Sequence, residues 1–420
     1  MSLIKKPVTG MKDMLPVEMQ LRDYVMDEIK STYGKFGFSH IETPCVEHIE
    51  NLSSKQGGEN EKLIFKVLKR GDKLQLDNVK EENDLVDSAL RYDLTVPLAR
   101  FYANNAAALP QPFKALQMGN VWRADKPQKG RFRQFVQCDI DILGEPSNLA
   151  EIELVLATTT LLGKLGFKGF KVHINERRLL KAMAAYSGFA EDSFDNVFII
   201  LDKMDKIGID GVREELLKAE FDATAVAKYM TLFEKLSGAQ DQIAFLKEEL
   251  GEALEEGVAE NLAEIFAALK GSVCADCEIM FDPTLVRGMS YYTGTIFEIE
   301  MKELNCSVAG GGRYDKMIGR FTGNDTPACG FSIGFERIIT ILLEKGFSVP
   351  GQTAKTAFLV EKGMAPERMA EIIKEAQALR ADGQIVLITR MNKNKKFQKE
   401  QLANDGYTEF KDFYKEALKY

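Results

Sequence analysis

Four positive charges fall within nine residues, in the segment Arg123-Ala-Asp-Lys-Pro-Gln-Lys-Gly-Arg131. Guanidinium groups bind phosphate oxygens through paired hydrogen bonds, so the arginines at the two ends of this segment could hold a polyphosphate. Pro127 and Gly130 are turn residues, which indicates a connection between two strands. The segment is therefore either a phosphate-binding loop or a charged turn exposed to solvent.

The run from Phe132 to Leu143 alternates with a period of two, as a strand does. Its even positions are apolar except Gln134. Its odd positions carry a cation, an aromatic ring, an amide and two carboxylates: Arg133, Phe135, Gln137, Asp139 and Asp141. One interpretation is an antiparallel strand with one solvated face. The other is a binding surface for a small polar ligand, which short hydrogen-bonding groups beside an aromatic ring favour.

Three further segments carry arginine or glycine beside predicted strands. Gly310-Gly311-Gly312 would let a ligand approach the backbone closely, and this run matches neither a P-loop nor a dinucleotide fingerprint. Arg287 precedes the pair Tyr291-Tyr292, and Arg337 lies in the first turns of a predicted helix. Each segment alone could have a structural role only. A nucleotide would have to be bound by an arrangement other than a P-loop.

Other reactive side chains are sparse in these segments. The three histidines, at positions 40, 48 and 173, lie outside them, which argues against acid–base catalysis by histidine. Cys274-Ala-Asp-Cys277 is a single C-x-x-C without a second pair, so packing is favoured over a zinc site and no protein-bound zinc is expected. The six cysteines are dispersed, which indicates reduced thiols rather than a disulfide framework.

A folded chain of 420 residues must hold these groups in place, and that length suits two or three domains. Hydrophobic residues make up 45%, which is enough for a sizeable core. No apolar run approaches the ~18 residues of a membrane span, and the first residues lack the apolar stretch of a signal peptide. We expect a cytoplasmic protein without a membrane partner. The length and composition also argue against a membrane protein, a fibrous protein and a small secreted scaffold.

The net charge of −8 argues against a general polyanion binder. The charge is uneven, however: residues 176–270 carry 20 acidic and 11 basic side chains, whereas residues 353–420 carry 10 acidic and 13 basic ones. Solvated helix surface is one explanation of both zones. The alternative gives the basic tail a polyanionic partner.

Hydrophobic periodicity predicts the elements that position these residues. A helix is expected from Pro16 to Tyr33, a β-hairpin over 113–143 and several helices over 176–270. Asn148 is expected to cap a helix that ends at Gly163, with Glu151 completing a capping box. Further strands are predicted at Phe170–Ile174, Cys277–Phe281, Thr295–Met301 and Leu304–Ala309. A strand running into a helix is predicted at 328–344, and the tail reads strand–helix–strand–helix, at Ala357–Val360, Pro366–Ala381, Ile385–Thr389 and Lys395–Ala403.

Taken together, these segments resemble histidyl-tRNA synthetases, which are class II aminoacyl-tRNA synthetases. The resemblance runs from Gly10-Met-Lys-Asp13 to about Lys345, and more loosely through the tail. Its most specific pieces are Leu90-Arg-Tyr-Asp-Leu-Thr-Val-Pro97, Pro127-Gln-Lys-Gly-Arg-Phe-Arg-Gln-Phe135, the segment starting Leu285-Val-Arg-Gly288, and Gly310-Gly-Gly-Arg-Tyr-Asp315. Pro44 matches the proline of the first class II motif, residues 113–142 the second motif and residues 328–343 the third.

The resemblance implies an α+β fold: a class II antiparallel sheet flanked by helices, with a helical insertion and a small C-terminal α/β domain. The catalytic domain would span 1–350, with the insertion at about 176–270, and a short anticodon-binding-like domain would span 353–420. The first motif implies a homodimer. The implied reaction activates L-histidine with ATP, accompanied by Mg²⁺, to histidyl-adenylate and pyrophosphate, and then transfers histidine to the 3′ end of tRNA(His).

The resemblance also implies roles for individual side chains. Arg287 and Arg123 would be the catalytic pair on the α-phosphate. The ATP-binding positions are Arg123, Arg131, Phe135 and Arg337. The histidine-binding positions are Asp93, Thr95 and Gln137 for the ammonium group, and Asp141, Tyr291 and Tyr292 for the imidazole side. Asp139 shares the odd face of its strand and could be only structural.

Two features depart from the family pattern. Ser290 stands where the family usually has aspartate, and the tail is short, with no clear further strand in 408–420. The main alternative is a non-catalytic, histidine-binding regulatory subunit of ATP phosphoribosyltransferase, and a general amino-acid adenylating enzyme is a third candidate. The set of phosphate-binding residues, Arg123, Gln128, Arg131, Arg287 and Arg337, favours the synthetase, since a sensor of histidine does not need it.

Overall fold

The structure is a computed structural model that describes residues 3–53, 59–128, 130–287, 291–303, 306–351 and 354–415. The chain forms two compact units. The first comprises Met1–Lys12 and Met26–Leu342, and the second comprises Asp13–Val25 and Leu343–Tyr420.

Strands and helices alternate irregularly along the described residues. The strands are β1 Ser39–Ile41, β2 Val46–His48, β3 Lys66–Leu68, β4 Val86–Leu90, β5 Phe113–Trp122, β6 Gln134–Leu143, β7 Phe170–Glu176, β8 Cys277–Phe281, β9 Thr295–Met301, β10 Cys306–Arg313, β11 Ala328–Gly334, β12 Lys355–Val360, β13 Ile385–Arg390 and β14 Tyr407–Phe413. The helices are α1 Pro16–Lys35, α2 Ile49–Leu52, α3 Thr95–Asn105, α4 Leu149–Lys164, α5 Arg177–Ser187, α6 Phe194–Leu201, α7 Met204–Lys218, α8 Ala223–Ser237, α9 Gln242–Leu250, α10 Val258–Leu269, α11 Lys316–Thr322, α12 Phe335–Glu344, α13 Pro366–Ala381 and α14 Lys395–Asn404.

A large sheet dominates the first unit, in the strand order β1-β5-β6-β11-β10-β9-β7-β8. The five inner pairings are antiparallel, and only the outermost pairs, β1 with β5 and β7 with β8, are parallel. The predicted β-hairpin is confirmed as β5 and β6, and the predicted run of helices between β7 and β8 is confirmed as α5–α10. The α+β class with a mainly antiparallel sheet is therefore confirmed.

Strand β6 lies inside this sheet and is covered on both faces. Its even positions form part of the core, with Cys138 and Ile140 fully buried. Its polar odd positions are buried too: Gln137 is 9% exposed, Asp139 4% and Asp141 3%. The interpretation of a solvated strand face is therefore wrong, because other elements cover the side that carries the polar groups.

Helix α4 begins after Asn148 as predicted, but the capping box is absent. The Asn148 side chain accepts no hydrogen bond from the helix terminus, and its amide donates instead to Glu264 at 2.7 Å. Glu151 is buried and accepts two hydrogen bonds from Arg313, each 2.6 Å long. A buried bidentate ion pair is stronger than a single backbone cap, so the tertiary contact prevails over the local one.

The second unit contains a three-stranded sheet in the order β13-β12-β14, and both pairings are parallel. The predicted strand–helix–strand–helix order is confirmed. Strand β14 was not predicted, and the expectation of no clear further strand in 408–420 is wrong, because β14 covers Tyr407–Phe413. Charged residues interrupt the apolar alternation of this edge strand, which hides it in the sequence. Phe413 nevertheless packs against Phe358, with ring centroids 4.9 Å apart.

Within the described ranges, every helix is too short or too polar to cross a membrane. Cys45, Cys138, Cys274, Cys277 and Cys329 are free thiols.

Candidate functional site

One cleft of about 350 Å³ in the first unit collects the side chains that the sequence singled out. Eleven predicted site residues line it: Asp93, Thr95, Arg123, Arg131, Phe135, Gln137, Asp141, Arg287, Tyr291, Tyr292 and Arg337. Gln128, which was also placed in the phosphate-binding set, is not among the lining residues. They come from segments that are far apart in sequence, and the sheet brings them together. Their individual roles stay predictions.

Glycines make room for the charged groups of the cleft. Gly310 lies so close to Arg287 that a β-carbon there would be 2.4 Å from the guanidinium group. A β-carbon at Gly330 would be 2.0 Å from Asp141 Oδ1. These glycines therefore leave space for side chains on neighbouring segments. This role is separate from the close approach of a ligand that the sequence predicted for the glycine run.

Three carboxylates are buried together on one side of the cleft: Asp93, Asp139 and Asp141. Burial raises the pKa of all three, and it raises that of Asp139 to about 7. Their mutual repulsion raises the pKa of Asp139 and Asp141 further. Such a cluster favours a ligand that carries positive charge or several N–H donors, because the ligand would compensate the buried negative charge.

Asp141 is held by a tyrosine that the sequence analysis did not assign. The Tyr314 hydroxyl donates a hydrogen bond of 2.5 Å to Asp141 Oδ1. Tyr314 is buried, and its ring lies edge-on to that of Tyr291 at a centroid distance of 6.0 Å. The sequence drew attention to Tyr314, because it belongs to the segment Gly310–Asp315. Nothing in the sequence indicated that its partner is Asp141.

A short hydrogen-bond network fixes the amide of Gln137. Its Nε2 donates to Ser332 Oγ at 3.0 Å and lies 3.4 Å from the Asp139 carboxylate. Its Oε1 accepts from Arg123 at 3.4 Å. Asp139 therefore lines the cleft and orients Gln137, which is more than the structural role that the sequence allowed for it. Ser332 was also missed, since it lies on β11, nearly 200 residues away.

Several contacts fix Arg123 in the cleft. Its Nε donates to the Tyr92 carbonyl at 3.0 Å. Its guanidinium group lies 4.3 Å from the Tyr92 ring and 5.3 Å from the Phe135 ring. Cation–π contacts with these two rings help to keep the planar group oriented where it lines the cleft.

Arg287 reaches the cleft from a loop with unusual backbone geometry. Its φ is +57°, a region that residues other than glycine rarely occupy. Its guanidinium group pairs with Glu298 on β9 at 2.5 Å. The sequence offered no signal for Glu298. Ser290, the departure from the family pattern, lies outside the described residues.

Arg337 and Arg131 complete the basic side. Arg337 donates to the carbonyl of Ser307, and Arg131 is about half exposed with Asp125 at 3.8 Å. Because Arg123 and Arg131 both line the cleft, the binding interpretation of their loop is favoured over a charged turn in solvent. Lys126 of the same loop is exposed, so only part of the loop's charge faces the cleft.

A family model described as histidyl-tRNA synthetase matches residues 10–338. The histidine–tRNA ligase of Leifsonia xyli subsp. xyli is 42% identical over 413 residues, covering 96% of this chain and 94% of the relative. The histidine–tRNA ligase of Aeropyrum pernix is 40% identical over 347 residues, covering 81% and 75%.

Solved structures give the same result for the fold. The histidyl-tRNA synthetase of Nostoc sp. PCC 7120 aligns with a TM-score of 0.77 and 27% identity, over 96% of this chain and 90% of that one. A Bacillus halodurans protein titled ATP phosphoribosyltransferase regulatory subunit/histidyl-tRNA synthetase aligns with a TM-score of 0.79 at 22% identity, over 99% and 100%. At that identity the second likeness speaks for the fold alone.

Proposed function

This chain belongs to the histidyl-tRNA synthetase family, and we propose that it ligates histidine to tRNA(His) in the cleft described above. It is an enzyme of the aminoacyl-tRNA synthetase class. In the first step, a carboxylate oxygen of histidine attacks the α-phosphorus of ATP, and pyrophosphate leaves. In the second, the terminal ribose hydroxyl of the tRNA attacks the histidyl carbonyl, and AMP leaves. ATP is a substrate and enters the cleft together with magnesium.

The observation that carries this proposal is that two sets of charged groups line one cleft. Buried carboxylates form one set, which we call the acidic side, and arginines form the other, which we call the basic side. Histidine has an ammonium group and a ring with two nitrogens, whereas ATP has a polyanionic chain, so the two sets suit the two substrates. The carboxylate of histidine would then lie between them, next to the α-phosphate.

On the acidic side, we assign Asp93, Thr95 and Gln137 to the ammonium group of histidine. We assign Asp141, Tyr291 and Tyr292 to the imidazole side. The hydrogen bond from Tyr314 orients the Asp141 carboxylate and leaves its other oxygen for a ring N–H. A site with such buried groups rejects ligands that lack the matching nitrogen, because its own polar groups would be left unpaired.

On the basic side, we assign Arg123 and Arg287 to the α-phosphate. Arg131 and Arg337 would bind the other phosphates, and Phe135 would stack on adenine. Phosphoryl transfer depends mainly on positioning and on neutralising charge, and guanidinium groups held in advance supply both. The contacts of Arg123 with two rings and of Arg287 with Glu298 support such preorganisation.

The regulatory-subunit alternative is not favoured. Curated relatives at 40–42% identity are histidine–tRNA ligases. The basic side of the cleft also retains a full set of arginines, which a protein that only senses histidine would not need.

For the remaining parts we propose a catalytic domain over 1–350, with residues 176–270 as its helical insertion, and an anticodon-binding-like domain over 353–420. The basic balance of that tail supports an RNA partner for it. We also propose a homodimer formed through the first motif around Pro44, and a cytoplasmic location, where tRNA is charged.

The direct test is exchange of labelled pyrophosphate into ATP by the purified protein. We expect exchange only when histidine is present, and Arg287→Ala should nearly abolish it. Binding of histidine without any exchange would instead favour the regulatory function. Exchange supported equally by several amino acids would favour a general adenylating enzyme.

A further inference from the structure

The end of strand β7 contacts the backbone immediately before Arg287. Asn175 donates through Nδ2 to the carbonyl of Leu285 at 2.9 Å, and Arg177 donates through its guanidinium group to the carbonyl of Val286 at 3.4 Å. Both side chains are buried, with Asn175 0% and Arg177 5% exposed. Two consecutive carbonyls ahead of Arg287 are thus held by side chains more than 100 residues earlier in the chain.

The end of β7 and the first residue of α5 also contact the backbone that follows the paired tyrosines. The backbone N–H of Arg177 donates to the carbonyl of Gly294 at 3.0 Å. The Thr295 hydroxyl donates to Glu176 at 3.3 Å. Residues 175–177 therefore form hydrogen bonds at both ends of the segment that carries Arg287, Tyr291 and Tyr292. We name residues 175–177 the β7 clamp.

Arg287 requires such support, because its backbone has the positive φ of +57°. A residue other than glycine stays in this region only when its surroundings hold it there. The Glu298 carboxylate fixes the far end of the side chain, and the β7 clamp fixes the main chain. The two contacts act on different parts of the same residue.

Arg177 is itself anchored on the helical insertion. Its guanidinium group lies 5.2 Å from the Phe198 ring and 3.5 Å from the Asp195 carboxylate, both on α6. Its Nε is buried with no hydrogen-bond partner among the described residues. A buried guanidinium group that is incompletely paired is costly, so a role beyond packing would explain its presence.

We propose that Arg177 is a positioning residue for Arg287: it holds the backbone of residues 285–287 and 294 so that the Arg287 guanidinium group faces the α-phosphate. This inference rests on the proposed function for its catalytic meaning. The anchoring of Arg177 on α6 makes the helical insertion a support of the adenylation site.

The first test measures hydrogen–deuterium exchange in the full-length protein and does not depend on activity. In Arg177→Lys, the ammonium group cannot span Val286 and Asp195 as the planar fork does. We expect amides in peptides covering 282–287 and 291–297 to exchange at least about three-fold faster, with peptide 134–143 unchanged. Arg213→Lys is the matched control, since that guanidinium group pairs with Asp210 and Glu234, which are not part of the β7 clamp.

Unchanged exchange of both peptides in Arg177→Lys would overturn the proposal. If peptide 134–143 also exchanges faster, Arg177→Lys has loosened the whole fold and does not test the proposal. The variant Asp195→Asn is then used instead, because it changes an exposed partner of Arg177. Faster exchange confined to 282–287 and 291–297 in Asp195→Asn supports the proposal, and no change there rejects it.

The second test asks whether Arg177 acts through Arg287. Arg177→Lys should lower the kcat of histidine-dependent pyrophosphate exchange about tenfold in the wild-type background, but less than about twofold in an Arg287→Gln background. Equal losses in both backgrounds would show that Arg177 acts elsewhere. If the wild type shows no exchange at all, the proposed function fails, while the deuterium measurement still decides the structural role of Arg177.

Discussion

Gly330 lies directly opposite Asp141 in the antiparallel pairing of β11 with β6, and Asp141 Oδ1 occupies the space that a β-carbon on Gly330 would need. The separation would be only 2.0 Å. The absence of a side chain at one position is thus what allows the carboxylate at the other to point into the cleft.

Gly330→Ala should therefore displace the Asp141 carboxylate and break its hydrogen bond with Tyr314. We expect the KM for histidine in pyrophosphate exchange to rise and kcat/KM to fall about 100-fold, because imidazole recognition loses its oriented acceptor. Steady-state exchange kinetics at varied histidine concentration measure this. Gly34→Ala, in helix α1 with nothing within 4 Å of the added carbon, is the control and should keep wild-type kinetics. Wild-type KM in Gly330→Ala would refute the proposed use of Asp141.

Two neighbouring glycines should separate activity from stability. A β-carbon at Gly310 would meet the movable end of Arg287, whereas one at Gly311 would lie 1.9 Å from the Gly330 carbonyl oxygen, which belongs to the backbone. We expect Gly310→Ala to keep its free energy of unfolding within about 1 kcal/mol, yet to lose about 100-fold in exchange kcat. Gly311→Ala should lose about 1–3 kcal/mol of stability or more. Urea denaturation and exchange assays on both variants check this, and full activity in Gly310→Ala would contradict it.

Asp139 should make the folded protein less stable as pH rises. Burial raises its pKa from 3.8 to about 7, so between these values the folded protein keeps a proton that the unfolded chain has released. The folded state binds more protons there, and the free energy of unfolding falls with increasing pH, by at most about 4 kcal/mol from this group.

Asp139→Asn should flatten that decline. Urea denaturation of the wild type and the variant at pH 5, 6, 7 and 8 measures it, and the variant should gain stability relative to the wild type as pH rises. Asp210→Asn serves as the control, because that side chain is 83% exposed. Parallel pH curves for Asp139→Asn and the wild type would show that Asp139 does not titrate in this range.

His173 should contribute stability on the acid side. Its ring lies between Asp282, with Nδ1 at 2.8 Å, and Glu300, with Nε2 at 3.3 Å, and the hydrogen bond to Asp282 is the main reason that its pKa is raised above 6.5. A raised pKa in the folded state means that this contribution is complete below pH 6.5 and is lost as pH rises through the folded value.

His173→Gln should accordingly destabilise the protein by about 1 kcal/mol or more at pH 6, and by less at pH 9. Thermal or urea unfolding at the two pH values measures the difference. The exposed His40 provides the control His40→Gln, which should be neutral at both. A destabilisation that is independent of pH would mean that His173 contributes by packing alone.

The exposed lysines of the tail should matter for tRNA but not for histidine activation. Lys393→Glu combined with Lys396→Glu reverses two charges next to and within α14. We expect unchanged pyrophosphate exchange and a several-fold higher KM for tRNA. The deficit should shrink as salt increases, because the wild type makes more phosphate contacts and its affinity for tRNA falls faster with salt.

Aminoacylation assays at two salt concentrations test this, with Lys374→Glu on α13 as the control in the same unit. Unchanged charging by the double variant would remove α14 from the proposed RNA contact. A loss of exchange would instead indicate damage to the fold.

Local sequence patterns predict many of the secondary-structure elements of this protein. The alternation of 132–143 predicts the strand that bears Gln137 and Asp141, and the periodicity of 176–270 predicts the helical insertion. The motifs, through their resemblance to the family, also selected eleven of the side chains that line the cleft. Such features depend on residue type and on spacings of two to four positions, which a sequence displays directly.

Other features depend on contacts across the sheet, and these no local pattern displays. Strand register decides that Gly330 faces Asp141, that Tyr314 reaches the same carboxylate, and that Glu298 meets Arg287. The burial of Asp139 and the diversion of Glu151 from its helix cap to Arg313 have the same origin. Most of these partners lie more than 100 residues apart in sequence. Their polar groups exchange contacts with water for contacts with each other only when the chain folds, and the free energy of that exchange overrides local preference.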